Sequence, residues 1–74
     1  MLSNLTFGKR LQAMLDERGI SQRKFADMIM FSTAVVSCWC TDRNEPTLTA
    51  IAAMSVALGV STDYLIFGKE YKEG

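Results

Sequence analysis

Two groups of mostly polar side chains in the middle of this 74-residue chain are spaced to work together. Ser32, Thr33, Ala34, Ser37 and Cys38 recur at the period of an α-helix, so a helix here would carry them outward on one surface. Gln22, Arg23 and Lys24 come shortly before them, and Arg43 and Asn44 shortly after. Hydroxyls, a thiol and a methyl can meet the edges of DNA bases. Cationic and amide side chains can bond phosphate oxygens. The chemistry on offer is recognition, with Ser32, Thr33, Ala34, Ser37 and Cys38 as base-edge candidates and the other five as phosphate candidates.

Bond-making chemistry is poorly provided for. The sequence has no His, no convincing carboxylate pair, no glycine-rich phosphate loop and no nucleophile beside a base. A chain this short has little room for a substrate pocket. We therefore assign no catalytic residue and no cofactor. Cys38 and Cys40 form a C-x-C, but a metal site would need more ligands. Residues two apart on a helix point to different sides, which disfavours a disulfide between them. Two reduced thiols and no metal are expected.

The recognition surface needs a scaffold. Phe25, Ala26 and Ile29 fall on one face of a helix over 22–28 and the turn that follows it. Val36 and Trp39 fall on one face of a helix over 33–40. Ala26 is small enough to let two helix backbones approach. The turn between them is Ile29-Met30-Phe31. Residues 22–41 thus read as a helix-turn-helix, whose second helix would lie in the DNA major groove. Trp39 is assigned to the core because of the area it buries, and Val35 to the flank of the helix.

Three further helices complete an all-α reading. The first runs from about Thr6 to Arg18, with Thr6 as N-cap, Gly19 as stop, and Phe7, Leu11 and Leu15 facing the core. Ser21 and Ser32 cap the next two. The loop 42–46 ends at Pro46, through which no helix can run. Thr47 caps a helix over 48–58, with Leu48, Ile51, Ala52, Ser55 and Leu58 as its stripe and Gly59 as its end. Ser61 caps a last helix over 62–67, ended by Gly68. Residues 1–74 read as one domain with its core in 6–68 and a frayed, charged tail over 69–74. Met14, Met28, Met30 and Met54 are assigned to packing or to a partner surface.

Bulk composition bounds the rest. Hydrophobic residues make up 49% of the chain, enough for a compact helical core. No apolar run reaches membrane-spanning length and no leader is visible, so a cytoplasmic protein with no membrane partner is expected. Lys+Arg and Asp+Glu are equal at 8 each, against the usual basic footprint of a nucleic-acid binder. Arg18, Arg23 and Lys24 gather near the motif while Asp63, Glu70 and Glu73 lie late in the chain. A weak, asymmetric field is expected.

The stretches FGKRLQAMLDERGISQRKFAD, STAVVSCW and NEPTLTAIAAMSVALGVSTDYLIFG carry a resemblance. In their order and spacing, over roughly residues 6–68, the chain resembles the lambda-type phage repressor and Cro family of helix-turn-helix proteins. The resemblance implies a compact five-helix domain that binds double-stranded operator DNA, usually as a dimer. It implies a phosphate contact at Gln22 and groove contacts from the helix over 33–40. It also implies a homodimer through Tyr64, Leu65, Ile66 and Phe67, where a short apolar helix has surface left over. Two recognition helices would then sit about 34 Å apart over a palindrome.

Three departures from the family pattern stand out. Met30 occupies a turn position usually taken by Gly, where a left-handed backbone costs a non-Gly residue about 1 kcal/mol or more. Leu15 and Cys40 replace an Arg and a Glu that pair in many members, so Leu15 and Cys40 should lie close together. The recognition helix carries short side chains where the family often has Arg, Lys, Gln or Asn, which weakens its power to discriminate bases. The expected function is a sequence-specific repressor of phage or mobile-element type. The alternative is an antitoxin-like module on the same fold, whose main partner is a protein such as a toxin.

Overall fold

A computed structural model describes residues 2–70. After a short 3-10 turn at Leu2–Asn4, the chain forms α1 (Phe7–Arg18), α2 (Gln22–Ile29), α3 (Thr33–Cys40), α4 (Leu48–Leu58) and α5 (Thr62–Phe67). No strand occurs among the described residues. Of the tail expected to fray, residues 71–74 lie outside the described part.

One local device starts every α-helix. Thr6, Ser21, Ser32, Thr47 and Ser61 each sit in extended backbone and accept, through the hydroxyl oxygen, the amide N–H three residues on. Each bond satisfies one amide that has no partner inside the helix. A second device ends four of them. After α1, the Gly19 amide donates to Asp16 and the Ile20 amide to Leu15. The same pair of bonds recurs at Met30 and Phe31, at Asp42 and Arg43, and at Gly59 and Val60. This is the left-handed Schellman ending, for which Gly is the usual residue. Here Gly19 and Gly59 serve it with φ of 66° and 67°, but Met30 (63°) and Asp42 (60°) do so with side chains. The turn at Met30 is therefore left-handed.

The helices bury a single core. Leu11, Met14 and Leu15 of α1 meet Phe25, Ala26 and Ile29 of α2, Val36 and Trp39 of α3, Met54 and Leu58 of α4, and Leu65 of α5. Leu15 and Cys40 are both buried in it, on helices α1 and α3 that pack together. Phe7 is only partly buried against it. On α4 the buried stripe is Ala50, Ile51, Met54 and Leu58. Leu48 and Ala52, expected inside, face solvent instead. α4 is apolar on nearly every side, so periodicity alone could not choose among its faces.

Among the described residues, one buried residue is charged. Arg10 is 5% exposed, on the core side of α1 between Phe7 and Leu11. Its guanidinium donates to the carbonyls of Leu2, Leu5, Leu65 and Ile66, and so staples the N-terminal turn and α5 onto α1. Burial holds its pKa below the ordinary arginine value, while the charge of Asp42 acts in the opposite direction.

Candidate nucleic-acid interface

α3 presents its N-terminal turn to solvent. Its amphipathic pattern sends Val36, Trp39 and Cys40 inward, which leaves Ser32, Thr33, Ala34 and Val35 exposed and Ser37 and Cys38 half-buried on the next turn. The five base-edge candidates are thus on or beside one accessible surface. Ser32 is partly committed, because its Oγ accepts the Val35 amide at 3.1 Å and caps the helix. Thr33 and Ser37 keep hydroxyls four residues apart on one side of α3. Val35 is 37% exposed at the flank, so it can offer a methyl contact.

The angle between α2 and α3 is set by packing. Ala26 is wholly buried, and its lack of bulk permits the close approach of the two helices. The Phe31 and Trp39 rings meet across the turn at 5.2 Å between centroids, tilted by 59°. This contact ties the turn to the last part of α3.

The phosphate candidates flank this surface. Gln22 opens α2, where unpaired amides and the helix dipole favour an anion. Its Nε2 donates to Gln12 Oε1 at 2.7 Å, and Gln12 Nε2 donates in turn to Asp16 Oδ1 at 2.8 Å. α1 therefore holds the Gln22 side chain in place. Arg23 and Lys24 are exposed on the same first turn. Arg43 and Asn44 are exposed in the loop after α3. Their amides point back at the Cys38 carbonyl, at 2.9 and 3.5 Å. It is thus their side chains that are available to a ligand.

Asp42, which precedes Arg43, is turned away from that ligand face. Its Oδ1 accepts the Gly8 amide at 2.9 Å and its Oδ2 accepts the Thr6 hydroxyl at 2.6 Å. These two bonds, the Thr6 bond first, hold its carboxyl below the ordinary carboxylate range, assisted by the charges of Lys9 and Arg10. Gly8 is what allows the approach. A Cβ there would collide with the Trp39 carbonyl oxygen and stand 2.7 Å from that of Cys40.

The candidate dimer residues divide. Leu65 is wholly buried and belongs to the core, so it is removed from any docking surface. It is the buried residue of α5, which packs against α1 and α4. Tyr64 is half-buried, while Ile66 and Phe67 are 39% and 45% exposed. Ile66 lines a groove with Phe7, Pro46, Leu48 and Ile51, and Leu48 is 86% exposed there.

The two thiols also differ. Cys40 is buried, and its pKa is pushed up to about 11, first by burial and then by the charges of Asp16 and Asp42. Cys38 is half-buried on α3. Among the described residues no group of three or more His, Cys, Asp or Glu could hold a metal. No helix among them is long and apolar enough to cross a membrane.

Gly8, Arg10 and Asp42 were not singled out from the sequence. A signal existed for Arg10, since 7, 10, 11, 14 and 15 make a helical core stripe with one cation in its middle. Gly8 and Asp42 left none, because their contact joins residues 34 positions apart.

Comparison with known proteins agrees with this geometry. The family model described as helix-turn-helix matches residues 11–65. An SPbeta prophage-derived uncharacterized HTH-type transcriptional regulator, YonR of Bacillus subtilis, is 34% identical over 62 residues, 84% of this chain and 57% of its own length. The HTH-type transcriptional regulator DicA of Escherichia coli is 33% identical over 70 residues, 95% of this chain and 52% of its own. The chain thus spans a little over half the length of these curated relatives. Among solved structures, the P22 c2 repressor in complex with a synthetic operator is similar with a TM-score of 0.82 and 31% identity. That match covers 88% of this chain and 98% of that one. The solution structure of the DNA-binding domain of the same repressor matches equally well, with a TM-score of 0.82.

Proposed function

The chain belongs to the helix-turn-helix family of lambda-type repressors, and on that premise we propose that it is a transcriptional regulator that binds double-stranded DNA. α3 enters the major groove, where Thr33, Ala34, Ser37 and Cys38 meet base edges and Ser32 sits at the groove's rim. Gln22, Arg23, Lys24, Arg43 and Asn44 hold phosphates on either side. The observation that carries this reading is the exposed N-terminal turn of α3, mounted on α2 by a buried Ala26 and framed by cationic and amide side chains. The operator-bound P22 c2 repressor, similar over most of both chains, supports it.

The regulator is a repressor of phage or mobile-element type, in keeping with the prophage-derived relative. It binds a palindrome as a homodimer. Ile66 and Phe67, together with Leu48 beside the α5 groove, supply the apolar surface for that pairing, with Tyr64 at its edge. Short side chains on α3 give each half-site modest discrimination, so pairing of two half-sites carries much of the specificity.

The test is selection of bound duplexes from a random-sequence pool at two salt concentrations. Recovery of a palindrome with half-sites about one helical turn apart supports the dimeric regulator. Weak binding without enrichment, lost at higher salt, refutes it. A second reading, an antitoxin-like module with a protein partner such as a toxin, draws on one observation. Met28, Met30 and Val56 are 41, 92 and 83% exposed and share a shallow apolar groove with Ala52, Ala53 and Ala57 of α4.

A further inference from the structure

We infer that Asp42 is a positioning residue for DNA binding: by gripping the first turn of α1, it fixes the path on which Arg43 and Asn44 meet the phosphates. The inference rests on the DNA-binding reading above and names a residue that itself touches no DNA.

Asp42 occupies the left-handed position that ends α3, a place served by Gly19 after α1 and by Gly59 after α4. A Gly would adopt that backbone freely, whereas a side chain is strained there. An acid beside a phosphate-binding loop is also electrostatically unfavourable. Both disadvantages are offset by where the carboxylate goes. It accepts the Gly8 amide and the Thr6 hydroxyl, while the Thr6 oxygen accepts the Lys9 amide. Asp42 and Thr6 together satisfy two of the amides that α1 leaves unpaired at its start, and the negative charge lies at the positive end of the helix.

The mechanical result is a closed joint. The start of α1 rests on the last carbonyls of α3, an approach that only Gly8 permits. The next two residues, Arg43 and Asn44, return their amides to Cys38 of α3. The loop is thus held from α1 by the Asp42 side chain and from α3 by its own backbone. Without the side-chain bonds only the second restraint remains, and the loop that carries Arg43 and Asn44 is freer to move. Ordering it would then be charged against each binding event.

The test measures duplex binding by fluorescence anisotropy across a salt series, with the full chain, at a temperature where circular dichroism reports every variant folded. The variants are Asp42→Gly, Asp42→Asn, Arg43→Ala and the double variant Asp42→Gly/Arg43→Ala. Asp42→Gly keeps the left-handed backbone and loses the grip. It should weaken binding about tenfold and lower the salt slope by about 0.9, the share of one phosphate contact. Arg43→Ala should do the same, and the double variant should lose little more. Asp42→Asn retains an acceptor for Gly8 but lacks the second carboxylate oxygen, so it should fall between Asp42→Gly and the unaltered chain. A residue that merely stabilised the fold would leave the salt slope alone. Unchanged or tighter binding by Asp42→Gly, tighter binding by Asp42→Asn, or additive losses in the double variant would overturn the inference while leaving DNA binding in place. Failure of the unaltered chain to bind any duplex would overturn both.

Discussion

Arg10 Nε donates to the carbonyl oxygen of Leu65 at 3.1 Å, joining residues 55 positions apart in a buried contact. The same guanidinium reaches Ile66 at 2.6 Å and Leu5 at 2.8 Å. One planar, five-donor group thus serves carbonyls near the end of α5 and before α1 together. Replacement by Ala leaves those carbonyls without their donor. Arg10→Ala should cost about 3 kcal/mol. Arg10→Lys should recover only part of this, because a compact ammonium cannot span both elements. Urea denaturation followed by circular dichroism measures both, and equal losses for Ala and Lys would contradict the geometric argument.

Met30 concerns strain at a site with no core function. Its φ is 63° and it is 92% exposed, so its side chain contributes nothing to the interior. Gly adopts this backbone without the contact between Cβ and the following carbonyl. Met30→Gly should therefore stabilise the domain by about 1 kcal/mol, seen as a higher denaturation midpoint with an unchanged slope. A lower midpoint would mean that the Met side chain does more in the folded chain than its exposure suggests.

Met30, a turn position legible in the sequence, and Arg10, which is not, separate what the sequence makes legible from what it does not. Helix starts and ends were readable because each depends on one or two adjacent residues, such as Ser32 before α3 or Gly59 after α4. The buried faces of α2 and α3 were readable because their patterns are strongly one-sided. α4 was not, since it is apolar on most sides and only packing against α2 and α5 decides that Ala50 and Met54 go inside while Leu48 stays out. The outward candidates on α3 followed from periodicity. The joint of Thr6, Gly8 and Asp42 did not, because it exists only once α1 and the end of α3 have been brought together.

That joint has an acid limit. The Asp42 carboxyl is held below its usual value by the Thr6 and Gly8 bonds. A depressed pKa means that the folded chain prefers the ionised form. The stability it contributes is present above the unfolded carboxylate pKa, about 3.9, and is lost as the pH falls from there through the depressed folded value. Thermal midpoints recorded from neutral pH downward should hold until about pH 4 and then decline. The decline should be shallower for Asp42→Asn, which has no carboxyl to titrate. Parallel curves for the two proteins would mean that the loss comes from other acids.

The two cysteines offer a direct report on where α3 lies. Burial, with Asp16 and Asp42 nearby, raises the Cys40 thiol to about 11, so near neutrality it stays protonated and unreactive. The raised value also means that its contribution to stability is complete below the ordinary 9.0 and is lost as the pH rises through about 11. Cys38 is half-buried on α3, one turn beyond Ala34, and reagent can reach it from the proposed groove side. Alkylation with iodoacetamide at pH 8 should therefore modify Cys38 and spare Cys40, as read by peptide mapping. If α3 enters the major groove, a saturating duplex should slow modification of Cys38 severalfold and leave Cys40 as it was. Equal rates for Cys38 with and without bound DNA would place the DNA on another face of the domain.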